Sequence, residues 1–413
     1  MGFPDNINLP NSVDWLPPPY GPHMALSNSA TADAVATNIS MKAEMKRASA
    51  GDIWEMAMVD RLTIEHWRNA PRLTSFATFF EHTASGQGGA PDLAQPQLDM
   101  SLLDFDLEAA VFVDTHRRLW GHFDSHYFAS IPYRLEEECR LGAAILSFAL
   151  RTWARNASPT TIYTLGTGTG CLARTLATLG NGRIKTLCCS PTAANRASFF
   201  ANRGSEHAHF FHGPFFELDD DRYATDDDLL PFRGGFDVLL EDTTFQMYDR
   251  DRIKQLEFVV PRIRHGGLLV QVQKLAHEDR DIYEERERQK DELFKSRFFS
   301  TGHISAKKDE VLNTMTDLQV DLATTRAALR VFFRYSVLTW NSGNFYTIVS
   351  SNSRASVFEL ISLMLKPAIP PGYCSERLPA AIVDTEIEAL APDLTWRSAN
   401  TMMVLAPKLG IMK

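Results

Sequence analysis

Short apolar runs of the kind that form buried strands recur along the middle of the chain. They lie at 161–165, 184–189, 208–212, 236–240 and 267–273. About 15 to 25 residues separate each run from the next, and several of these separating stretches are compatible with helices. Apolar strands that alternate with helices are typical of a parallel sheet covered on both faces. The middle of the chain is therefore predicted to be a doubly wound, mostly parallel α/β domain.

Two further strands are predicted at 335–340 and 344–350, joined by Asn341-Ser342-Gly343. This spacing indicates an antiparallel hairpin, which completes a seven-stranded sheet. The charged stretch before the hairpin, 277–333, is predicted to be a helical insertion. Charges of opposite sign alternate over 277–297, a pattern typical of an exposed helix with i,i+4 pairs.

The flanks of this domain have a different pattern. Residues 1–35 contain six prolines and are predicted to form an irregular arm. Apolar positions then recur at helical spacing over 38–81 and again over 105–155. We expect a mostly helical N-terminal domain at 1–155, the sheet domain with its insertion at 156–352, and a C-terminal extension at 353–413.

The turn after the first predicted strand is rich in glycine. Its sequence, TLGTGTG (164–170), precedes a helical run, CLARTLATL. A strand that turns tightly into a helix presents free backbone N–H groups, and Gly166 and Gly168 would let a ligand approach the backbone closely. Doubly wound sheets bind ligands at this position. Gly168, Gly170 and Ala173 also fit the loosened dinucleotide fingerprint, which leaves NAD(P) open as the ligand.

From about residue 156 to 352 the chain resembles the class I S-adenosylmethionine-dependent methyltransferases. The matching segments are TLGTGTG, FDVLLED (236–242), HGGLLVQVQ (265–273) and the late hairpin, YSVLTWNSGNFYTIVS. The hairpin favours this family over the nicotinamide-binding folds. Where the family usually has two acids, this chain has Thr164 and Ser190, and Ser190 with Arg196 would also suit the phosphate of NADP. The resemblance implies that 156–352 is a Rossmann-like domain with S-adenosylmethionine as cofactor.

By position, the resemblance also implies a set of cofactor-binding residues. They are Gly166, Thr167, Gly168 and Gly170 at the methionine part and ribose, Ser190 and Pro191 at the ribose and adenine, Gly213, Pro214 and Phe215 beside the adenine, and Glu241 at the floor of the site. A helix before the first strand would close over the cofactor with an aromatic residue, Tyr127 or Tyr133, and with Arg134 near the methionine carboxylate. Ser190-Pro191 would equally suit the start of a helix, and Gly213-Pro214 a plain turn.

Candidate catalytic residues follow the fourth strand. Methyl transfer from a sulfonium is an in-line displacement, for which the protein supplies alignment and, where needed, a base. Glu241 and Asp242 could orient an acceptor, take its proton or hold the cationic sulfonium, and Tyr248 could present a phenol. The alternatives are a solvated or capping acidic pair at the strand end and a packed tyrosine. We expect no metal site, since no acid–amide pair follows the fifth strand and the His122–His126 pair has no nearby partner ligands.

Composition and charge narrow the classes of partner. The chain has 413 residues, of which 44% are hydrophobic and 23% charged, as in ordinary soluble proteins. A net charge of -9 argues against nucleic acid, which needs a clustered basic surface. The five cysteines form no CxxC pair, which favours free thiols in a reducing compartment. We expect a cytoplasmic protein without a secretion signal or membrane span.

These observations predict a methyltransferase that acts on a small-molecule metabolite. The N-terminal block, the insertion at 277–333 and the C-terminal extension would enclose such a substrate and exclude water. The insertion would equally suit a homodimer contact. Three alternatives stay open: transfer or cyclisation of the aminopropyl chain of S-adenosylmethionine with release of methylthioadenosine, an NADP-dependent oxidoreductase, and a non-catalytic binding subunit.

Overall fold

The computed structural model describes residues 59–102, 107–384 and 395–397. The chain divides after Asp52, and the described residues all belong to the second unit, Ile53–Lys413. The arm predicted at 1–35 and the start of the helical pattern at 38–58 lie outside the described residues. In the described ranges, no helix combines the length and the apolar character needed to cross a bilayer.

A mixed sheet of eight strands organises the described part of the chain. The strands are β1 (Thr160–Leu165), β2 (Ile184–Ser190), β3 (Ala208–His212), β4 (Phe236–Asp242), β5 (Ile263–Lys274), β6 (Tyr335–Ser342), β7 (Phe345–Ser351) and β8 (Ala380–Asp384). Their order is β3-β2-β1-β4-β5-β7-β6-β8. The first five are parallel, and β7, β6 and β8 are antiparallel to their neighbours. This confirms the doubly wound sheet with a terminal hairpin, to which β8 adds one strand beyond the seven predicted.

Helices cover both faces of the sheet. They are α1 (Arg61–Arg68), α2 (Ala77–Ser85), α3 (Leu107–Arg118), α4 (His122–Ser130), α5 (Arg134–Asn156), α6 (Cys171–Gly180), α7 (Ala193–Ala201), α8 (Asp220–Thr225), α9 (Arg252–Val259), α10 (Arg280–Gln289), α11 (Thr301–Lys307), α12 (Asn313–Thr316), α13 (Leu322–Phe332) and α14 (Arg354–Leu363). Successive strand residues point to opposite faces. Ile162 and Val238 therefore face α3, α5, α6 and α14, while Tyr163 and Leu239 face the core that includes α9 and α13.

The strand ends place the functional edge of the sheet. Leu165, the last residue of β1, is in register with Cys189 of β2 on one side and Glu241 of β4 on the other. The glycine turn, Ser190 and Asp242 therefore leave the sheet side by side. This edge is where parallel α/β sheets bind ligands.

The insertion is helical but not uniformly exposed. Its start confirms the prediction, with an exposed i,i+4 pair between Arg280 and Glu284. Its end corrects the prediction, because Lys290 and Lys295 are only 4% and 1% exposed. A π-helical turn over Lys290–Phe294 follows α10 directly. Such a turn inserts a residue and rotates the side chains that follow, so that helical periodicity no longer predicts which of them face solvent.

A buried arginine ties the long helix α5 to the far side of the sheet. Arg140 donates two hydrogen bonds to the Glu137 carboxylate, at 2.7 and 3.0 Å. It also donates to the carbonyls of Leu365, at 2.9 Å, and Thr339, at 3.0 Å. A buried charge is tolerated when its hydrogen bonds are satisfied, and these four bonds join α5, β6 and the chain after α14.

Replacing Arg140 by methionine should destabilise the protein strongly, because Glu137 would keep a buried and unpaired carboxylate. We expect Arg140→Met to lower the free energy of unfolding by about 3–5 kcal/mol. The matched control is Arg155→Ala on the same helix, which breaks the more exposed pair with Glu359 and should cost about 1 kcal/mol or less. Urea unfolding followed by circular dichroism measures both, and equal losses would contradict the assignment.

Candidate functional site

The glycine turn adopts a backbone that favours glycine at three positions. The φ angles are +69° at Gly166, +56° at Gly168 and +68° at Gly170. The turn closes on itself through a bond from the Gly168 amide to the Gly166 carbonyl, at 2.9 Å, and one from Gly170 to Thr167, also at 2.9 Å. A Cβ atom on Gly166 would collide with Thr244. The glycines therefore let the chain after β4 pack directly against this turn.

Thr164 is at the position where the resemblance implies an acid, and its side chain carries no charge. The Thr167 hydroxyl lies 3.0 Å from the Thr164 hydroxyl and 3.3 Å from its carbonyl oxygen. Thr164 is fully buried below the turn. Hydroxyl groups thus hold the start of the turn.

Helix α4 lies over the glycine turn. The Phe123 ring packs so close to Gly168 that a Cβ there would lie 2.8 Å from it. The next residue, Asp124, accepts hydrogen bonds from the Gly121 amide at 2.6 Å and the Thr169 hydroxyl at 2.7 Å. Burial raises the pKa of Asp124. The Asp124 carboxylate and the Phe123 ring thus hold α4 against the glycine turn.

Asp242, the last residue of β4, is held from both sides. The Tyr127 hydroxyl donates to its Oδ1 at 2.5 Å, and Arg134 Nη2 donates to its Oδ2 at 2.7 Å. Arg134 also pairs with Glu138 at 2.5 Å. Burial raises the pKa of the Asp242 carboxyl, although Arg134 acts in the opposite direction. Two of the Arg134 donors, Nε and Nη1, are buried without a hydrogen-bond partner among the described residues.

The residue after Asp242 has a strained backbone. Thr243 has a φ of +51°, which is rare for a β-branched side chain, and its amide donates to the Val272 carbonyl at 2.7 Å. Strain of this kind persists where the surrounding structure enforces it, and such positions cluster at functional sites. The kink ends β4 and turns the following residues toward the glycine turn.

A cavity of about 110 Å³, large enough for several water molecules, joins these groups. Its polar lining includes Thr167, Asp242, Thr243, Gln246, Lys274, Lys290, Lys295 and Lys307, together with the backbone of Gly166 and Gly168. Its apolar lining includes Phe79, Phe80, Phe123, Val311, Leu312, Met315 and Phe345. The cavity therefore spans the strand edge, the N-terminal helices and the insertion.

The predicted site residues separate into two groups. The structure brings Gly166, Thr167, Gly168 and Asp242 to the cavity, with Tyr127 beside them and Arg134 bonded to Asp242. The residues that are absent from the cavity lining are Tyr133, Arg134, Gly170, Ser190, Pro191, Gly213, Pro214, Phe215, Glu241 and Tyr248.

Glu241 is occupied by its own chain. Its Oε1 accepts from the amides of Thr244, at 2.7 Å, and Phe245, at 3.0 Å, while Gln273 bonds to Oε2. Burial raises the pKa of this carboxyl, and the hydrogen bonds from Phe245 and Gln273 oppose that effect. Glu241 thus shapes the turn after β4, and Asp242 alone of the acidic pair faces the cavity.

The residues predicted around the ribose and adenine have packing and capping roles. Ser190 Oγ accepts from the Thr192 amide at 3.2 Å and from Asn195 at 3.0 Å, so it organises the start of α7. Gly213 donates to the Ser190 carbonyl at 3.1 Å, and Pro214 precedes a single 3-10 turn. The Phe215 ring lies 5.3 Å from that of Tyr248 and 5.3 Å from that of Trp67. Burial raises the pKa of the Tyr248 phenol.

The N-terminal segment covers the edge where the resemblance implies the nucleoside. Arg72, just before α2, donates from Nη2 to Thr192 Oγ1 at 2.7 Å. Glu81, in α2, accepts from the Ala194 amide at 3.1 Å and so caps α7. The Arg72 guanidinium is buried there, 4.1 Å from the centre of the Phe80 ring. Protein groups therefore occupy the edge of the sheet where the resemblance implies the nucleoside.

Several cavity residues were missed by sequence reasoning. Phe123 and Asp124 lie in the same short segment as Tyr127, and the Gly121-Asp124 spacing of a helix cap could have indicated them. The lysines of the insertion gave no such signal, because their pattern is that of a solvated helix. Tyr133 lies outside the cavity lining, and its ring packs 5.5 Å from Phe294 and 5.0 Å from Tyr373.

Comparison with known proteins gives likeness only among solved structures. No protein-family profile matches the chain, and no curated protein matches it. An O-methyltransferase family protein from Burkholderia thailandensis is 16% identical over 51% of this chain and 55% of that one, with a TM-score of 0.33. The plantazolicin methyltransferase BamL, in complex with a triazolic desmethylPZN analog and SAH, is 10% identical over 60% of this chain and 97% of that one, with a TM-score of 0.38.

A third structure, TnmH, is 14% identical over 70% of this chain and 73% of its own, with a TM-score of 0.33. The chain thus spans about half the length of the Burkholderia protein. These values carry no argument about activity. The sheet itself, with five parallel strands continued by an antiparallel hairpin, gives the chain the class I S-adenosylmethionine-dependent methyltransferase fold.

Proposed function

We propose that the protein is an S-adenosylmethionine-dependent transferase that methylates a small-molecule metabolite. One observation supports this proposal above the others. The glycine turn and Asp242, a carboxylate held by Tyr127 and Arg134, line the same cavity at the ligand-binding edge of the sheet. This is the place where the fold supports cofactor chemistry.

The residues at this edge fit the methionine end of the cofactor. When bound, the cofactor supplies an electrophilic methyl group on a good leaving group. Arg134 is bonded to the cavity residue Asp242, and its Nε and Nη1 donors, which have no partner among the described residues, would suit a carboxylate through charge-assisted bonds. Asp242 would hold a nearby cation or accept a proton from the acceptor. Burial and the Asp242 charge raise the pKa of the Tyr127 phenol, so Tyr127 stays a hydrogen-bond donor that orients the carboxylate.

The nucleoside end fits only after the N-terminal segment moves. Arg72 and Glu81 bond to the start of α7, which the resemblance assigns to the ribose. We therefore expect cofactor binding to displace α2 and the turn before it. The same filled edge favours a second candidate function, a non-catalytic binding subunit with the methyltransferase fold.

Calorimetry on the full chain separates these candidates. We expect micromolar binding of S-adenosylmethionine and S-adenosylhomocysteine and no binding of NADPH. Flat titrations with all three would support the binding subunit, and binding of NADPH alone would support an oxidoreductase. With an acceptor present, release of S-adenosylhomocysteine indicates methyl transfer, whereas release of methylthioadenosine indicates use of the aminopropyl chain.

Gly168→Ala should impair cofactor binding. The new Cβ would strain a backbone with φ of +56° and press against Phe123, which displaces the turn from the cavity. We expect the Kd for S-adenosylhomocysteine to rise at least tenfold, measured by calorimetry. Gly302→Ala is the control, because a Cβ there meets nothing within 4 Å, and its Kd should stay within twofold of the parent. Equal Kd values for the two variants would contradict the assignment.

Arg72→Ala should speed the entry of the cofactor. Removing the guanidinium breaks the bond to Thr192 and loosens the segment that covers the start of α7. We expect the association rate of S-adenosylhomocysteine to rise by about tenfold, with stopped-flow fluorescence of the nearby Trp67 as readout. Arg68→Ala, an exposed change on the same segment, should leave the rate unchanged. An unchanged or slower rate in Arg72→Ala would show that this segment does not gate the site.

A further inference from the structure

Four lysines line the cavity together with the glycine turn and Asp242. Lys274 ends β5, Lys290 and Lys295 follow α10, and Lys307 ends α11. Lys274, Lys290 and Lys295 are buried, which is rare for lysine unless the ammonium group is paired. Solvation of the ammonium groups therefore does not explain why these lysines lie together at one cavity.

Three of the ammonium groups share two carboxylates. Glu287 Oε2 lies 2.8 Å from Lys274 Nζ and 2.5 Å from Lys290 Nζ. Asp291 Oδ1 lies 2.9 Å from Lys295 Nζ and 3.6 Å from Lys290 Nζ. Positive groups thus outnumber the negative groups that contact them.

Lys307 contacts neutral partners within the described part of the chain. Its Nζ donates to His126 Nε2 at 2.6 Å and to Ser130 Oγ at 2.9 Å. His126 uses its other ring nitrogen to bond the Gly89 carbonyl, so its Nε2 is the acceptor and the ring is neutral. Burial and the nearby Lys295 and Lys290 lower the pKa of Lys307 well below its usual value, and burial lowers that of Lys295 to about 8. A bound anion would favour the charged form of both groups and so raise both pKa values.

Apolar side chains also line this cavity. Phe79, Val311, Leu312, Met315 and Phe345 line it beside the lysines. A ligand that satisfies both kinds of wall carries an anionic head and an apolar body. A free inorganic ion would leave the apolar wall exposed to water.

We propose that Lys274, Lys290, Lys295 and Lys307 bind the oxyanion of the acceptor, which is a small organic acid with an apolar body. The acid group is a carboxylate or a phosphate monoester, since lysines recognise both as anions. The four lysines belong to β5 and the insertion, whereas Asp242 belongs to β4. Different elements of the fold would therefore bind the acid group of the acceptor and its reacting part. The role as acceptor rests on the proposed function, whereas oxyanion binding does not.

The test uses 3-phenylpropanoate and phenyl phosphate as probes, with neutral 3-phenylpropanamide as the matched compound. Calorimetry on the full chain should give saturable binding of at least one anion, with the tighter probe identifying the acid group, and none of the amide. Lys307→Met should raise the Kd of the anion that binds at least tenfold. Lys308→Met, the adjacent exposed lysine, should change it less than twofold.

Four results would overturn the inference. The first is no saturable binding of either anion, and the second is equal anion affinity of the Lys307→Met and Lys308→Met variants. The third is binding of the amide as tight as that of the anions. The fourth is a tenfold loss of S-adenosylhomocysteine affinity in Lys307→Met, which would assign the lysine to the cofactor. Circular dichroism checks folding, and Lys295→Met, with the same expected loss of the anion, is the second variant. Lysine-dependent anion binding without any binding of S-adenosylhomocysteine would contradict the proposed function and still support the oxyanion site.

Discussion

The site depends on a buried ion pair between Arg134 and Asp242, which are 108 positions apart in sequence and 2.7 Å apart in the fold. Both charges are buried, and Asp242 needs Arg134, because a lone carboxylate in this interior would cost several kcal/mol. The pair attaches α5 to the end of β4, and Tyr127 adds α4 to the same carboxylate. Because α4 is fixed there, Phe123 and Asp124 reach the glycine turn and the cavity has its walls.

This constraint gives the cavity an uneven distribution of charge. Acidic Asp242 lies at the edge of the parallel strands, while the insertion and the end of β5 contribute lysines in excess of the carboxylates that contact them. Apolar rings and methionine side chains line the same cavity. A molecule that carries a reacting group and an acid group on an apolar body would complement such a lining.

The sheet could be predicted because its signal is local. Each buried strand is an apolar run, and Asn341-Ser342-Gly343 marks the hairpin. The short strand β8 also begins with an apolar run, Ala380–Val383, but this stretch was assigned to the C-terminal extension; it pairs with β6 at the edge of the sheet. The site was harder to predict, since Ser190 and Glu241 accept hydrogen bonds from neighbouring amides, and Lys290 and Lys295 are buried at and just after a π-helical turn that helical periodicity does not predict. Arg134 reached the candidate list through the family resemblance, whereas the position of Asp242 directly after the fourth strand also indicated it.

A crystal structure of the full chain with S-adenosylhomocysteine tests the central claim most directly. We expect the ligand to lie along residues 166–168 with its methionine carboxylate bonded to Arg134. We also expect Arg72 to have moved away from Thr192. A ligand bound elsewhere, or a structure in which Arg72 and Glu81 keep their bonds to α7 with the cavity empty at saturating ligand, would contradict it.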